Sequence, residues 1–366
     1  MNIALLTEII NKKSGSRAPL EIAKALAKRG NQVTLIAYSY NLEKEALAEL
    51  VRSGVKVTLF EEKNIITPFK VYLKLRNQTF DIASFHGTLP FFLGAKLLSI
   101  PIILTYYGTQ LDAFADKFFP KKIGFVHGLL NEIFNKIIIL QERLLIKFSG
   151  AVLAISKYTQ KELKEYYSLD CEYIYLGSYP QTFKPKRIPK KNINILSVSR
   201  IVPYKGFHKL IKIFNKLSKS YPQIVLTIVG SLGNERYLKF LRKISNTSVN
   251  ILADLSDKDL KNEYKKSDIY ATFDRYSFFG MPVLEAASFA IPSIAIARCA
   301  SVETIVHGKT GFLAKNTLEF ELYLKKIIED SPLRIRMGRL AARHAKNFDW
   351  KITAESYEKS FKKSLQ

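Results

Sequence analysis

The sequence predicts an α/β protein in which two doubly wound parallel sheets face each other across a cleft, the usual place for a ligand in such a design. Three observations carry that expectation. Apolar runs of four to seven residues alternate with helix-forming segments up to about residue 175, and a second series of the same kind begins near residue 193. Between them, YLGSYPQTFKPKRIPKKN (175–192) carries Pro180, Pro185 and Pro189, a run of lysines and no apolar period, which marks a boundary. The chain has 366 residues, 47% of them apolar and 24% charged, enough for two cores and too apolar for disorder. The expected division is a first domain over 1–179, a linker over 180–191, and a second domain over 192–348.

The first series opens with NIALLT (2–7) as a buried strand. KKSGSR (12–17) follows as a glycine-containing loop, PLEIAKALAKR (19–29) as an amphipathic helix stopped by Gly30, and QVTLIAY as a second strand. That is a βαβ unit of a parallel sheet. Its loop holds one glycine, Gly15, and falls short of the GxGxxG pattern of dinucleotide sites. VKVTLF, DIASFH, IPIILTYYG and GAVLAIS continue the alternation, with KYTQKELKEYY as the helix after the last of them. Ligands of such sheets gather beyond the carboxyl ends of the strands, which places Gly15, His86-Gly87-Thr88 and Tyr107-Gly108-Thr109 along one rim.

In the second series, NILSVSR, IVLTIVG, VNILADL, IYATF and SIAIA read as strands separated by helices. Its most informative stretch is DRYSFFGMPVLE (274–285), continued by AASFAIPSIAI to Ile296. Phe279-Gly280-Met281-Pro282 is turn chemistry, Pro282 suits a first helical turn, and Val283 to Phe289 are helix-compatible. The first N–H groups of a helix lack internal partners and carry the positive end of its dipole, so this opening is a candidate anion site. Gly280 permits close approach, and Glu285, one turn further in, is suited to accept hydrogen bonds from a ribose diol.

The net charge of +25, with a pI near 9.8, points to an anionic partner. The basic residues are spread along the chain, as in the helix FHKLIKIFNKLSKSY, where Lys209, Lys212, Lys216 and Lys219 are spaced for one solvated face. No helix-turn-helix, zinc-ligand or aromatic RNA-binding pattern accompanies them, so specific nucleic-acid binding is not expected and nonspecific binding would be steeply salt-sensitive. Phe118 to Leu130 interleaves aromatics with Lys121 and Lys122, the pattern of a segment lying on an anionic membrane. Cys171 and Cys299 form no CxxC, which points to a reducing compartment and no metal site. MNIALLTEII reads as a strand rather than a signal peptide, and Lys96 and Pro101 interrupt the most apolar region. A cytoplasmic protein, peripheral on the membrane's cytoplasmic face, is the expectation.

The chain resembles the retaining glycosyltransferases of family four, which have the GT-B fold of two Rossmann-like domains. In the second half the resemblance is carried by SVSRIVPYKGFHKLI (197–211), IVGS (228–231), SDKDLKNEYKKSDIYATF (256–273), FFGMPVLEAASFAIPSIA (278–295) and SVETIVHGKTGFL (301–313). SGSRAPLEIAKALAKRGNQVTLIAY, FDIASFHGTLP, IPIILTYYGT and SGAVLAISKYTQKEL carry it in the first. The resemblance implies metal-independent, retaining transfer of a hexose from a UDP- or GDP-sugar to a glycan or lipid-linked saccharide, with no cofactor.

By that likeness Arg200 and Lys205 neutralise the leaving diphosphate and Glu285 holds the ribose. Backbone N–H groups over Gly280, Met281, Pro282 and Val283 meet the phosphates or sugar hydroxyls, Phe279 and Leu284 flank them, and Gly230 and Gly15 let their loops approach the donor. Residues 349–366 form a helix crossing back to the first domain. Two departures stand out. The family's glutamate pair, eight positions apart, becomes Ser277 and Glu285, with Asp274 three residues earlier. The histidine of its TxHG segment becomes Tyr107, with His86 on a neighbouring rim loop as the candidate substitute. These departures leave open a homologue that binds nucleotide sugar with impaired turnover. A basic, nonspecific nucleic-acid-binding protein is the alternative from another class.

Overall fold

A computed structural model describes residues 1–12, 16–61, 64–87, 89–108, 125–178 and 192–366, with no side chains described for 125–135. Gly15 and Phe118 to Gly124 lie outside the described residues, as do the side chains from Phe125 to Leu130. The chain divides into two compact α/β units.

The first unit holds a seven-stranded sheet in the order β3-β2-β1-β4-β5-β6-β7, with every pairing parallel. The strands are β1 (Asn2–Ile9), β2 (Gln32–Tyr38), β3 (Lys56–Phe60), β4 (Ile82–His86), β5 (Ile102–Tyr106), β6 (Ala151–Ala154) and β7 (Glu172–Tyr173). They read as near-continuous apolar runs because helices cover both faces of such a sheet. The order reverses between β1 and β4, a topological switch point that opens a crevice at their carboxyl ends. The helices are α1 (Arg17–Lys28), α2 (Lys44–Arg52), α3 (Thr67–Leu75), α4 (Leu89–Lys96), α5 (Phe125–Phe148) and α6 (Lys157–Tyr167). The last starts with a capping box: Ser156 Oγ accepts the Thr159 N–H at 3.1 Å and Thr159 Oγ1 accepts the Ser156 N–H at 3.0 Å.

The second unit carries six parallel strands in the order β10-β9-β8-β11-β12-β13. These are β8 (Ile193–Val198), β9 (Ile224–Gly230), β10 (Val249–Ala253), β11 (Ile269–Thr272), β12 (Ser293–Ile296) and β13 (Gly311–Ala314). The helices are α7 (Phe207–Leu217), α8 (Glu235–Ile244), α9 (Asp257–Lys266), α10 (Met281–Ser288), α11 (Ser301–Thr304), α12 (Thr317–Glu329) and α13 (Ser331–Ala345). Here the order reverses between β8 and β11, so the loops after these strands share one crevice. Lys219 falls beyond the end of α7, so the lysine row expected there is one residue shorter on the helix.

The closing helix α14 (Trp350–Ser364) belongs to the first unit. Its Tyr357 hydroxyl lies 2.9 Å from Thr105 Oγ1 of β5, and Glu355 and Glu358 take the Arg29 guanidinium at 2.8 and 2.9 Å.

Candidate active site

In the second unit the site residues follow the switch point. After β8 the chain runs through Arg200 into a 3-10 turn, Pro203–Lys205, and then into α7 through Gly206. Gly206 has φ +73°, and a Cβ there would lie 2.5 Å from the Phe273 carbonyl oxygen, so only glycine lets this turn meet the end of β11. The turn delivers Lys205 Nζ to Asp274 Oδ2 at 2.6 Å and to the Tyr276 carbonyl at 3.4 Å. Asp274 is buried and fixed from both sides: its N–H donates to Thr272 Oγ1 at 3.2 Å, and its Oδ1 accepts the Tyr276 N–H at 2.9 Å. Arg200 is exposed, with no hydrogen bond or ion pair among the described residues. Of the two cations expected to hold a diphosphate, Arg200 is thus without a partner among the described residues, while Lys205 shares its charge with a carboxylate.

Gly230 ends β9, and a Cβ there would lie 1.8 Å from the Ser199 carbonyl oxygen, so its absence lets the β8 and β9 loops run together beside Arg200.

The motif of residues 274–285 forms the expected turn and helix. Gly280 is the N-cap of α10 at φ +90°, with Pro282 in the first turn. The expectation that every backbone N–H from Gly280 to Val283 faces a ligand needs correction. Pro282 has no N–H, and Val283 N donates to the Gly280 carbonyl at 3.0 Å. The Gly280 and Met281 N–H groups remain without an acceptor among the described residues. Phe279, Val283 and Leu284 are buried, with the Phe279 ring 6.0 Å from that of Phe348, so these three side chains serve the core and offer a ligand only their backbone.

Glu285 sits one turn into α10, half-exposed, and its Oε2 accepts the Tyr264 hydroxyl at 2.8 Å. Tyr264 is in turn buried and stacked on Phe289 with ring centroids 5.6 Å apart. The carboxylate is thus aimed by a fixed donor. Ser277 is buried at the mouth of the same helix: its Oγ would lie 3.1 Å from a Cβ on Gly280, and its carbonyl accepts the Ala300 N–H at 2.9 Å. Asp274 is committed to Lys205 and does not supply the carboxylate missing at Ser277.

In the first unit, β4 and β5 bring His86 and Tyr107 together at the expected rim. His86 Nδ1 is 2.8 Å from the Tyr107 hydroxyl, and its Nε2 is 2.9 Å from Ser84 Oγ. Burial pushes the imidazole down to about 3, so it is neutral near pH 7, with one nitrogen donating and the other accepting. Burial likewise raises Tyr107, helped by Tyr357, whose ring stands 6.2 Å from that of His86. The group Ser84, His86, Tyr107, Thr105 and Tyr357 is an uncharged hydrogen-bonding cluster at the strand ends.

Tyr264 and the Lys205–Asp274 pairing escaped the sequence reading. Asp274 carried a signal, since it follows directly on a strand end. Tyr264 carried none, because it reaches Glu285 from a helix twenty-one residues away.

Residues 178–344 match the family described as glycosyl transferases group 1, and residues 16–177 match Glycosyltransferase Family 4. The chain belongs to the group 1 glycosyltransferase family. Among relatives, an uncharacterized glycosyltransferase of Haemophilus influenzae is 34% identical over 166 residues, covering 43% of this chain and 46% of the relative. A D-inositol 3-phosphate glycosyltransferase of Corynebacterium jeikeium is 30% identical over 199 residues, covering 50% and 48%. The matches thus span about half the length of these curated relatives. The fold of this family member is the two-domain, Rossmann-like GT-B fold. HepE of Anabaena, solved in complex with UDP and glucose, matches 99% of both chains with a TM-score of 0.79 at 18% identity.

Proposed function

We propose that the chain is a retaining, metal-independent glycosyltransferase that moves a hexose from a UDP- or GDP-sugar to a glycan or lipid-linked saccharide. The observation that carries this reading is Glu285, aimed by Tyr264 and lying one turn inside a helix mouth opened by Gly280. A ribose diol would bond the Glu285 carboxylate, and the diphosphate would meet the Gly280 and Met281 N–H groups and the Arg200 guanidinium.

Lys205 completes the charge balance. Its ammonium has three N–H donors, of which Asp274 and Tyr276 take two, leaving the third for a phosphate oxygen. Arg200, Lys205 and Asp274 sum to one positive charge, to which the start of α10 adds about half a charge. Positive groups fixed where charge develops lower the barrier to departure of the nucleoside diphosphate without a divalent ion. In the first unit, Tyr107 and neutral His86 would hydrogen-bond donor-sugar or acceptor hydroxyls. Gly15 would let its loop approach the donor. A UDP-sugar is the favoured donor, by likeness to the Anabaena protein solved with UDP.

We place the enzyme in the cytoplasm, peripheral on the membrane. No helix among the described residues is long and apolar enough to cross a membrane. A second reading, nucleotide-sugar binding with impaired turnover, draws support from Ser277, where the family's first glutamate is missing and Asp274 is otherwise engaged.

The test is incubation with UDP-glucose in excess EDTA, following free UDP and the anomeric configuration of the product by NMR. Retention with undiminished rate supports the proposal. Inversion, or a rate restored only by a divalent ion, contradicts it.

A further inference from the structure

Of the twenty-one large apolar side chains exposed among the described residues, ten lie on α3 with the turn before it, on α4 with the turn after it, and on α5. The remainder are scattered, as on ordinary protein surfaces. Ile66 at the cap of α3 forms one stripe with Phe69 and Leu73 on it, Phe69 being 58% exposed, while Val71 and Leu75 face the core. Leu93 on α4 and Leu97 just past its end repeat the arrangement, as do Leu140 and Leu144 on α5. The three helices adjoin: a Cβ on Gly94 would lie 2.6 Å from Val71 Cβ, and Lys96 Nζ donates to the Phe148 carbonyl at 3.1 Å.

The charge beside these stripes has one sign. Lys70, Lys96, Lys136, Arg143 and Lys147 are all exposed on the same helices. Asp81 is the only acid from residue 63 to residue 111, and it accepts the Asn2 N–H at 2.7 Å. Glu142, the one acid on α5 whose side chain is described, accepts the Tyr167 hydroxyl.

We infer that the outer face of α3, α4 and α5 docks on an anionic lipid surface. The apolar stripes enter the headgroup layer while the lysines and Arg143 meet lipid phosphates. A second copy of the chain would bring like charges together, and a nucleic acid would leave the apolar stripes in water. The residues argued from here lie outside Phe118 to Leu130 in sequence. It deepens the peripheral-membrane reading without depending on the catalytic one.

The test is co-sedimentation of the full chain with phosphatidylcholine vesicles, with and without phosphatidylglycerol. Two variants are compared: Phe69→Ser/Leu93→Ser/Leu140→Ser and Lys70→Glu/Arg143→Glu/Lys147→Glu. The wild type is expected to pellet only with the anionic vesicles, less so in high salt. Both variants are expected to lose at least tenfold in partitioning while keeping the wild-type melting temperature. Equal pelleting of wild type and variants, or indifference to phosphatidylglycerol, overturns the inference. So does a wild-type dimer that the serine variant disperses. A wild type that pellets as expected yet releases no UDP from any donor contradicts the catalytic reading and leaves this one standing.

Discussion

Lys205 Nζ lies 2.6 Å from Asp274 Oδ2, and Asp274 is buried with its other oxygen on the Tyr276 N–H. The acid therefore sets where the ammonium points and halves the positive charge that two free cations would present. Lys205→Ala is expected to lower kcat/KM for the sugar nucleotide about 100- to 1,000-fold, the scale for loss of one fixed charge-stabilising group. Asp274→Asn is expected to bind free UDP more tightly while lowering kcat about tenfold. Titration calorimetry with UDP and initial-rate kinetics check both, and parallel weakening of UDP binding in the two variants would contradict the arrangement.

Tyr264 acts through Glu285. Tyr264→Phe removes one hydrogen bond to a charged acceptor, worth about 1 to 2 kcal/mol. The donor KM is expected to rise about five- to thirtyfold with kcat within about twofold, following that energy scale. Glu285→Ala removes the proposed ribose acceptor itself and is expected to exceed that effect in the same kinetic assay.

The His86 imidazole, held down to about 3 by burial, ties stability to pH. Between about 3 and the ordinary value of 6.5 the unfolded chain binds a proton that the folded chain does not, so stability falls as pH drops below 6.5. Burial also lowers His208, to about 4, and His344, so all three contribute with the same sign. His86→Gln is expected to flatten the slope of melting temperature against pH from 6.5 to 4 without abolishing it. An unchanged slope would mean that the folded imidazole titrates normally.

Gly230 admits no side chain, with the Ser199 carbonyl 1.8 Å from where a Cβ would stand. Gly230→Ala forces the β8 and β9 loops apart and is expected to destabilise the protein by about 3 kcal/mol or more, the range of severe packing defects. Urea unfolding measures it.

The parallel sheets were legible because buried strands leave near-continuous apolar runs, as in IVLTIVG, and because prolines and lysines mark the boundary. The mouth of α10 was legible because Gly280 and Pro282 have fixed backbone uses. The clustering of His86 with Tyr107 followed from the rule that strand ends share a rim. Side-chain partnerships across elements left no trace in the sequence: Lys205 looks the same whether its charge is free or held by Asp274. The availability of the N–H groups at α10 was overestimated, because hydrogen bonding inside the first turn claims Val283. The apolar stripe on α3 was invisible for a related reason, since α3 reads as amphipathic whichever face is covered.

Lys205 and Glu285 are proposed to hold a sugar nucleotide for transfer. Thermal stabilisation and nucleotide release with UDP-, GDP- and ADP-sugars, for the wild type, Lys205→Ala and Glu285→Ala, test it most directly. The wild type is expected to show stabilisation and slow nucleotide release with one donor class, strongest with UDP, and both variants to lose the two effects. Stabilisation by no donor, together with salt-sensitive retention on nucleic acid, would contradict it and leave a basic two-domain binding protein.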